Sequence, residues 1–234
     1  MNYDEAKKEL ANIKTEISNI IQKYYKIIKE KPITEEEEQE IKNEIRLIYN
    51  KYLKICSYTD VKTPKYNNGT WPYDNNCYYY ALDLKKPKIF QDTYNEIFYE
   101  LFSNQLGSIG NISLPRHFTE EDLLKALYAD LDALGIQSYE SSIDKKPEHG
   151  GYKIAVYIRD KSDYSRPDFH FIRQNKDGSW SEKRGNDNTI YIVSDPYNLE
   201  NRPNYRYIKT IEIVKPKLQE LPHKKHWQIF LNNK

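Results

Sequence analysis

Cysteine is scarce: Cys56 and Cys77 are the only two in a chain of 234 residues. That excludes a disulfide framework and points to a reducing compartment, where thiols stay free for chemistry. A charge of one sign is missing too. Lys and Arg number 36 against 35 Asp and Glu, a formal +1, so no global field gathers a nucleic acid. No apolar run approaches the roughly 20 residues that a membrane-spanning helix needs. No apolar stretch follows a basic start in the manner of a cleavable signal peptide. The expectation is a protein with no nucleic-acid partner and no membrane span, either cytoplasmic or delivered into a host cell by a machine that reads no such signal.

What the chain has in excess is tyrosine, 22 residues, against a modest hydrophobic fraction of 38%. Tyrosine rings bury well while their hydroxyls stay hydrogen-bonded, so low hydropathy here does not mean disorder. Part of the excess belongs to a general bias toward Lys, Asn, Ile and Tyr, and the run Tyr78-Tyr79-Tyr80 is therefore given little weight.

Leu10, Ile13, Ile17, Ile20, Tyr24 and Ile27 recur at spacings of three and four, one stripe of a helix that should end near Pro32. Thr34 with Glu37 three residues on is a capping box, and Ile41, Ile45, Ile48, Tyr52 and Ile55 continue a second stripe. Residues 1–58 thus read as an antiparallel helical hairpin. It either packs on the body or serves as an arm for a protein partner. From 59 to 76 the composition turns to that of loops, and 59–234 is expected to form the catalytic domain. A short helix is expected from Cys77 to before Pro87, a second near 91–102, and a third after Thr119 with Leu123, Leu127, Leu131 and Leu134 inward and Gly135 as its stop. Strands follow at 152–158, 168–174, after the Asp177-Gly178 turn, and at 189–193, 205–214 and 226–231. Helices first and then antiparallel strands make an α+β body.

The chemistry centres on Cys77. Asn75 and Asn76 stand where side chains cap a helix start, and unpaired helix N–H groups with a nearby imidazolium favour a thiolate. Either asparagine, with the Cys77 N–H, is a candidate oxyanion donor. His170 lies on an expected strand, sent by alternation to the face opposite Phe169 and Phe171. Cysteine at a helix start followed by histidine on a sheet is the order of papain-like hydrolases. A third group that orients the imidazole is sought after the histidine. Glu182 qualifies if the hairpin register points it toward His170, Asp195 from the following strand, and Asn186, Asp187 or Asn188 if their loop folds back. Cys56 reads as structural. His223 and His226 lack companions for a metal site, and no metal or cofactor is expected.

The strings NCYYYAL, GYKIAVYIRD, DFHFIRQNKDGSWSEKRG and SDP, spanning roughly Asp74 to Asn201, resemble a group of bacterial and phage proteins with the patterns NCYxYA and DYHWYRQxxDGxWSHKxG. Through that group the chain is similar to the papain-like and NlpC-type cysteine hydrolase superfamily. The resemblance implies a papain-like antiparallel sheet with Cys77 as nucleophile at a helix N-terminus and His170 as base. This chain has Phe169 and Phe171 where the group tends to have Tyr and Trp, and Glu182 where it has His. Glu182 would then take over that residue's role. The reading is a thiol hydrolase or acyl transferase acting on an amide, whether a peptide, an isopeptide or a glutamine side chain, in a protein or peptide substrate. The rival is a non-catalytic protein-binding module on a degenerate hydrolase fold, with the hairpin as its interaction arm.

Overall fold

The computed structural model of the chain describes residues 1–30, 32–58, 76–84, 105–160, 166–185 and 187–217. The helix expected at 91–102 and the strand expected at 226–231 lie outside the described residues, as do Asn75, Asn186, His223 and His226.

Helices α1 (Tyr3–Glu30) and α2 (Glu35–Ser57) form the hairpin. Thr34 Oγ1 accepts from the Glu37 N–H at 3.2 Å, and the Glu37 carboxylate accepts from the Thr34 N–H at 3.1 Å, so the expected capping box starts α2. Ile13, Ile17 and Ile20 of α1 meet Ile41, Ile45 and Ile48 of α2 in a core shared with the rest of the chain. Hydrogen bonds tie α2 to that body. The Tyr49 and Tyr79 hydroxyls are 3.3 Å apart, Asn50 Nδ2 donates to the Ile109 carbonyl, and Ser57 Oγ donates to that of Leu134.

Among the described residues the sheet has six strands, β1 (Gln137–Ser141), β2 (Tyr152–Arg159), β3 (Asp168–Gln174), β4 (Trp180–Lys183), β5 (Ile190–Val193) and β6 (Arg206–Val214), in the order β1-β6-β2-β3-β4-β5. Every neighbouring pair is antiparallel, so β2 to β5 form a meander and β6 returns to the far side of β2. The architecture is α+β with an open antiparallel sheet. Strand β1 escaped the sequence reading because Gln137, Ser138, Glu140 and Ser141 give no apolar alternation; its register with β6 defines it.

Strand β2 is buried along nearly its whole length. Ile154 and Val156 face the main core, while Ala155 and Tyr157 join a second cluster with Ile172, Trp180 and Leu199 on the opposite face. Between β3 and β4, Gly178 adopts φ +90°, a conformation that a side chain resists, and the Asp177 carboxylate accepts from the Ser179 N–H.

Helix α4 (Glu120–Ala133) begins with a second capping box, Thr119 with Asp122. Helix α3 (Cys77–Ala81) has only five residues, too few for intrinsic helix stability. It persists because its surroundings hold it, and those contacts fix the position of Cys77.

Candidate active site

Helix α3 is gripped on all sides by its own tyrosines. Tyr78, Tyr79 and Tyr80 are fully buried, each ring contributing on the order of 2 kcal/mol by removal of apolar area from water. Successive residues point about 100° apart around a helix, so the three rings reach different elements. The Tyr78 hydroxyl donates to Asp130 of α4 at 2.8 Å, that of Tyr79 meets Tyr49 of α2, and that of Tyr80 pairs with Ser181 of β4 at 2.6 Å. Asp130 also accepts the N–H groups of Gly107 and Gly110, so a single buried carboxylate couples α3, α4 and the segment before α4.

At the far end, the Tyr152 hydroxyl donates to the Ala81 carbonyl and Arg173 Nη1 to the Tyr80 carbonyl, both at 3.0 Å. The Arg173 guanidinium also lies 4.0 Å from the centre of the Tyr80 ring. A hydroxyl thereby satisfies the Ala81 carbonyl at the helix end, and a cation adds to the Tyr80 carbonyl, which also accepts the Asp83 N–H. At the start, Asn76 Oδ1 accepts from the Tyr79 N–H at 3.0 Å. Asn76 is therefore the N-cap, and its side-chain oxygen serves the helix.

His170 is opposite Tyr157 in β2. The ladder between β3 and β4 runs only from Gln174 to Ile172, so His170 lies one alternation past its last rung. Pairing of Ile172 with Glu182 puts the glutamate on the same face as His170 and diagonal to it. Diagonal neighbours stand roughly 7–8 Å apart at their Cα atoms, a gap that a glutamate can span. Glu182 Oε2 lies 2.6 Å from His170 Nε2. That leaves Nδ1 as the ring nitrogen open to sulfur. The Cys77 side chain lies close enough to the imidazole to act on its protonation.

Cys77, His170 and Glu182 are 6%, 2% and 4% exposed, respectively. Burial by itself disfavours the imidazolium. The charge and hydrogen bond of Cys77, joined by the hydrogen bond of Glu182, outweigh that cost and raise the His170 pKa above its ordinary 6.5, although Arg202 opposes them. Burial likewise pushes the Glu182 carboxyl up, but His170 and then Arg184 bring it down to about 2. The pair is thus biased toward imidazolium and carboxylate.

The structure brings Cys77, His170 and Glu182 together, with Asn76 adjoining. Asp195 is placed elsewhere. Its carboxylate accepts from the Tyr197 N–H and from Asn198 Nδ2, closing a local turn rather than bonding the imidazole. Asp187 is similarly taken, accepting from the Thr189 N–H and the Tyr191 hydroxyl. Among the described residues, no group of three or more His, Cys, Asp and Glu is arranged to hold a metal ion. No helix among them is long and apolar enough to cross a membrane.

Several site neighbours were missed from sequence. Tyr205 meets the His170 ring edge-on at 6.1 Å and donates its hydroxyl to Asp168. Arg184 Nε donates to Glu182 Oε1 at 2.7 Å, and Arg202 Nε lies 3.4 Å from Oε2. Arg184 sits two positions from Glu182, so strand alternation was an available signal. Arg202 and Tyr205 come from the connection before β6 and had none. At Cys56, burial pushes the thiol up to about 11, partly offset by a hydrogen bond to Tyr52. The two cavities that stand out among the described residues, one beside Tyr128 and Tyr139 and one beside Leu47 and Lys51, adjoin none of Cys77, His170 and Glu182. No family model, curated protein or solved structure matches the chain.

Proposed function

We propose that the protein is a cysteine-dependent hydrolase or acyl transferase acting on an amide, with Cys77 as nucleophile, His170 as general base and acid, and Glu182 as the group that orients the imidazole. The observation that carries this reading is the 2.6 Å bond between His170 Nε2 and the Glu182 carboxylate, with Cys77 near enough to act on the same imidazole. Three residues far apart in sequence, meeting in the order nucleophile, base and orienter, are the arrangement that activates a weak nucleophile.

The Cys77 proton is carried on His170 Nδ1, in keeping with the bias of that ring toward imidazolium, and the sulfur attacks the amide carbonyl. The same nitrogen then protonates the leaving amine. Water, or an amine in a transferase, attacks the thioester after giving a proton to the imidazole, and the thiol is restored. Glu182 holds Nε2–H throughout, which fixes the tautomer that leaves Nδ1 able to accept. The Cys77 backbone N–H, at the first turn of α3 where no intrahelical carbonyl faces it, is the candidate oxyanion donor. A papain-like fold is the finer structural reading, supported by Cys77 at a helix start, His170 on β3 and Glu182 on β4.

One observation favours the rival reading of a protein-binding module: Cys77 retains only 6% exposure. Incubation with p-nitrophenyl acetate separates the two. The enzyme forms an acetyl thioester at Cys77, visible by intact and peptide mass spectrometry, and turns it over in a manner that requires His170. An unmodified Cys77 in the folded protein sinks the hydrolase reading in favour of the binding module.

A further inference from the structure

The Glu182 carboxylate has more cationic neighbours than its ionisation requires. His170 and Arg184 each approach it within normal hydrogen-bond distance, at 2.6 and 2.7 Å. Arg202 adds a third positive group at 3.4 Å, and its Nε is buried there without a hydrogen-bond partner. Desolvating an arginine for an incomplete ion pair is costly and contributes little to stability. The arginine is nevertheless held in place. Its N–H donates to the Leu199 carbonyl, its own carbonyl accepts from the Tyr205 N–H, and its guanidinium lies 5.4 Å from the centre of the Tyr205 ring.

Arg184 is fixed in a related way, with its guanidinium 4.0 Å from the centre of the Tyr191 ring and only Nε donated to Glu182. Among the described residues, no hydrogen bond is made by the Nη nitrogens of either arginine. The side chains are 31% and 21% exposed, so the forks are accessible in part. Arg159 adds another cation, 5.3 Å from the centre of the same Tyr205 ring. Three arginines thus face two carboxylates, Glu182 and Asp168, in a chain whose net charge is close to zero. A guanidinium with its planar fork uncommitted is suited to a carboxylate.

We propose that Arg184 and Arg202 form an anion-reading subsite beside the Cys77, His170 and Glu182 cluster, selecting substrates that carry a carboxylate near the amide attacked by Cys77. This deepens, and rests on, the hydrolase reading. The forks lie beyond the Glu182 carboxylate, which is itself one imidazole ring and two contacts from the sulfur, within reach of three or four residues of extended substrate at about 3.3 Å each. The carboxylate is either an acidic side chain or a chain terminus.

The test compares alkylation of Cys77 by iodoacetate and by iodoacetamide, reagents of similar size that differ in charge. Any disturbance of the nucleophile common to both cancels in the ratio of their rates. In Arg202→Gln, and separately in Arg184→Gln, the iodoacetate to iodoacetamide ratio is expected to fall about threefold, the effect of one nearby charge in a partly screened site. The source of the carboxylate is read by protection of the wild-type thiol from iodoacetamide. Protection by N-acetylglutamate α-methylamide indicates an acidic side chain, and protection by N-acetylalanine a chain terminus; either is lost in Arg202→Gln. An unchanged ratio in both variants, or no protection by either compound, overturns the subsite while leaving the nucleophile intact. A Cys77 that reacts with neither reagent removes the underlying hydrolase reading as well, so the two failures are distinguishable.

Discussion

Glu182 Oε2 and His170 Nε2 are 2.6 Å apart across a diagonal of the β3–β4 ladder, not across a directly opposed pair. Side-chain length is therefore part of the geometry. Glu182→Asp keeps the charge but draws the carboxylate back by one methylene, breaking that bond, whereas Glu182→Gln keeps the length and loses the charge. Both are expected to slow alkylation of Cys77 by iodoacetamide, since either leaves the imidazolium without its full partner. Rates of Cys77 labelling in the two variants check this, and a rate equal to wild type in both removes Glu182 from the orienting role.

The same carboxyl gives the fold an acid-sensitive element. Its folded value of about 2 is below the ordinary 4.5, so its stabilisation is fully present above 4.5 and is lost as the pH falls toward 2. The difference corresponds to about 3 kcal/mol. His170 has the opposite sign: its raised value stabilises the fold below 6.5, and that contribution is lost as the pH rises through the folded value. Urea unfolding of Glu182→Gln is expected to show a flatter stability profile between pH 4.5 and 2 than wild type. Parallel profiles contradict the assignment.

Asp130 ties α3 to the body and to the segment before α4, receiving the Tyr78 hydroxyl and the N–H groups of Gly107 and Gly110. Asp130→Ala strands two buried donors and a half-buried one and is expected to destabilise the protein by about 3 kcal/mol, while Tyr78→Phe costs about 1 kcal/mol. Chemical unfolding at neutral pH measures both. Equal losses in the two variants contradict a carboxylate that serves three partners.

Much of the fold was legible because it follows patterns of local physics. The hairpin stripes, both capping boxes, the Asp177-Gly178 turn and the doubly covered β2 all carry a period or a cap that survives without tertiary context. Strand β1 was not legible, since its side chains are polar and only pairing with β6 makes it a strand. Chain order singles out Cys77 and His170 as candidates, but the choice between Glu182 and Asp195 depends on a hairpin register that a one-residue slip would invert.

The run Tyr78-Tyr79-Tyr80 taught the reverse. Discounted as compositional bias, it is the anchor of α3, because each hydroxyl has a partner on a different element. Arg173 and Ser181 act on the same helix: Arg173 holds the Tyr80 carbonyl and Ser181 the Tyr80 hydroxyl. Nothing in the one-dimensional pattern distinguishes such residues from an exposed cation or an ordinary strand serine.

The rate of iodoacetamide reaction at Cys77 relative to Cys56, in wild type and in His170→Ala, tests the central claim most directly. Cys56 is the internal standard, since a thiol raised to about 11 is thiolate to the order of one part in ten thousand at pH 7. The account predicts that Cys77 reacts at least tenfold faster than Cys56 at neutral pH, and that His170→Ala, still folded by circular dichroism, loses most of that advantage. Equal, slow reaction at both cysteines, or a Cys77 rate indifferent to the loss of His170, contradicts it.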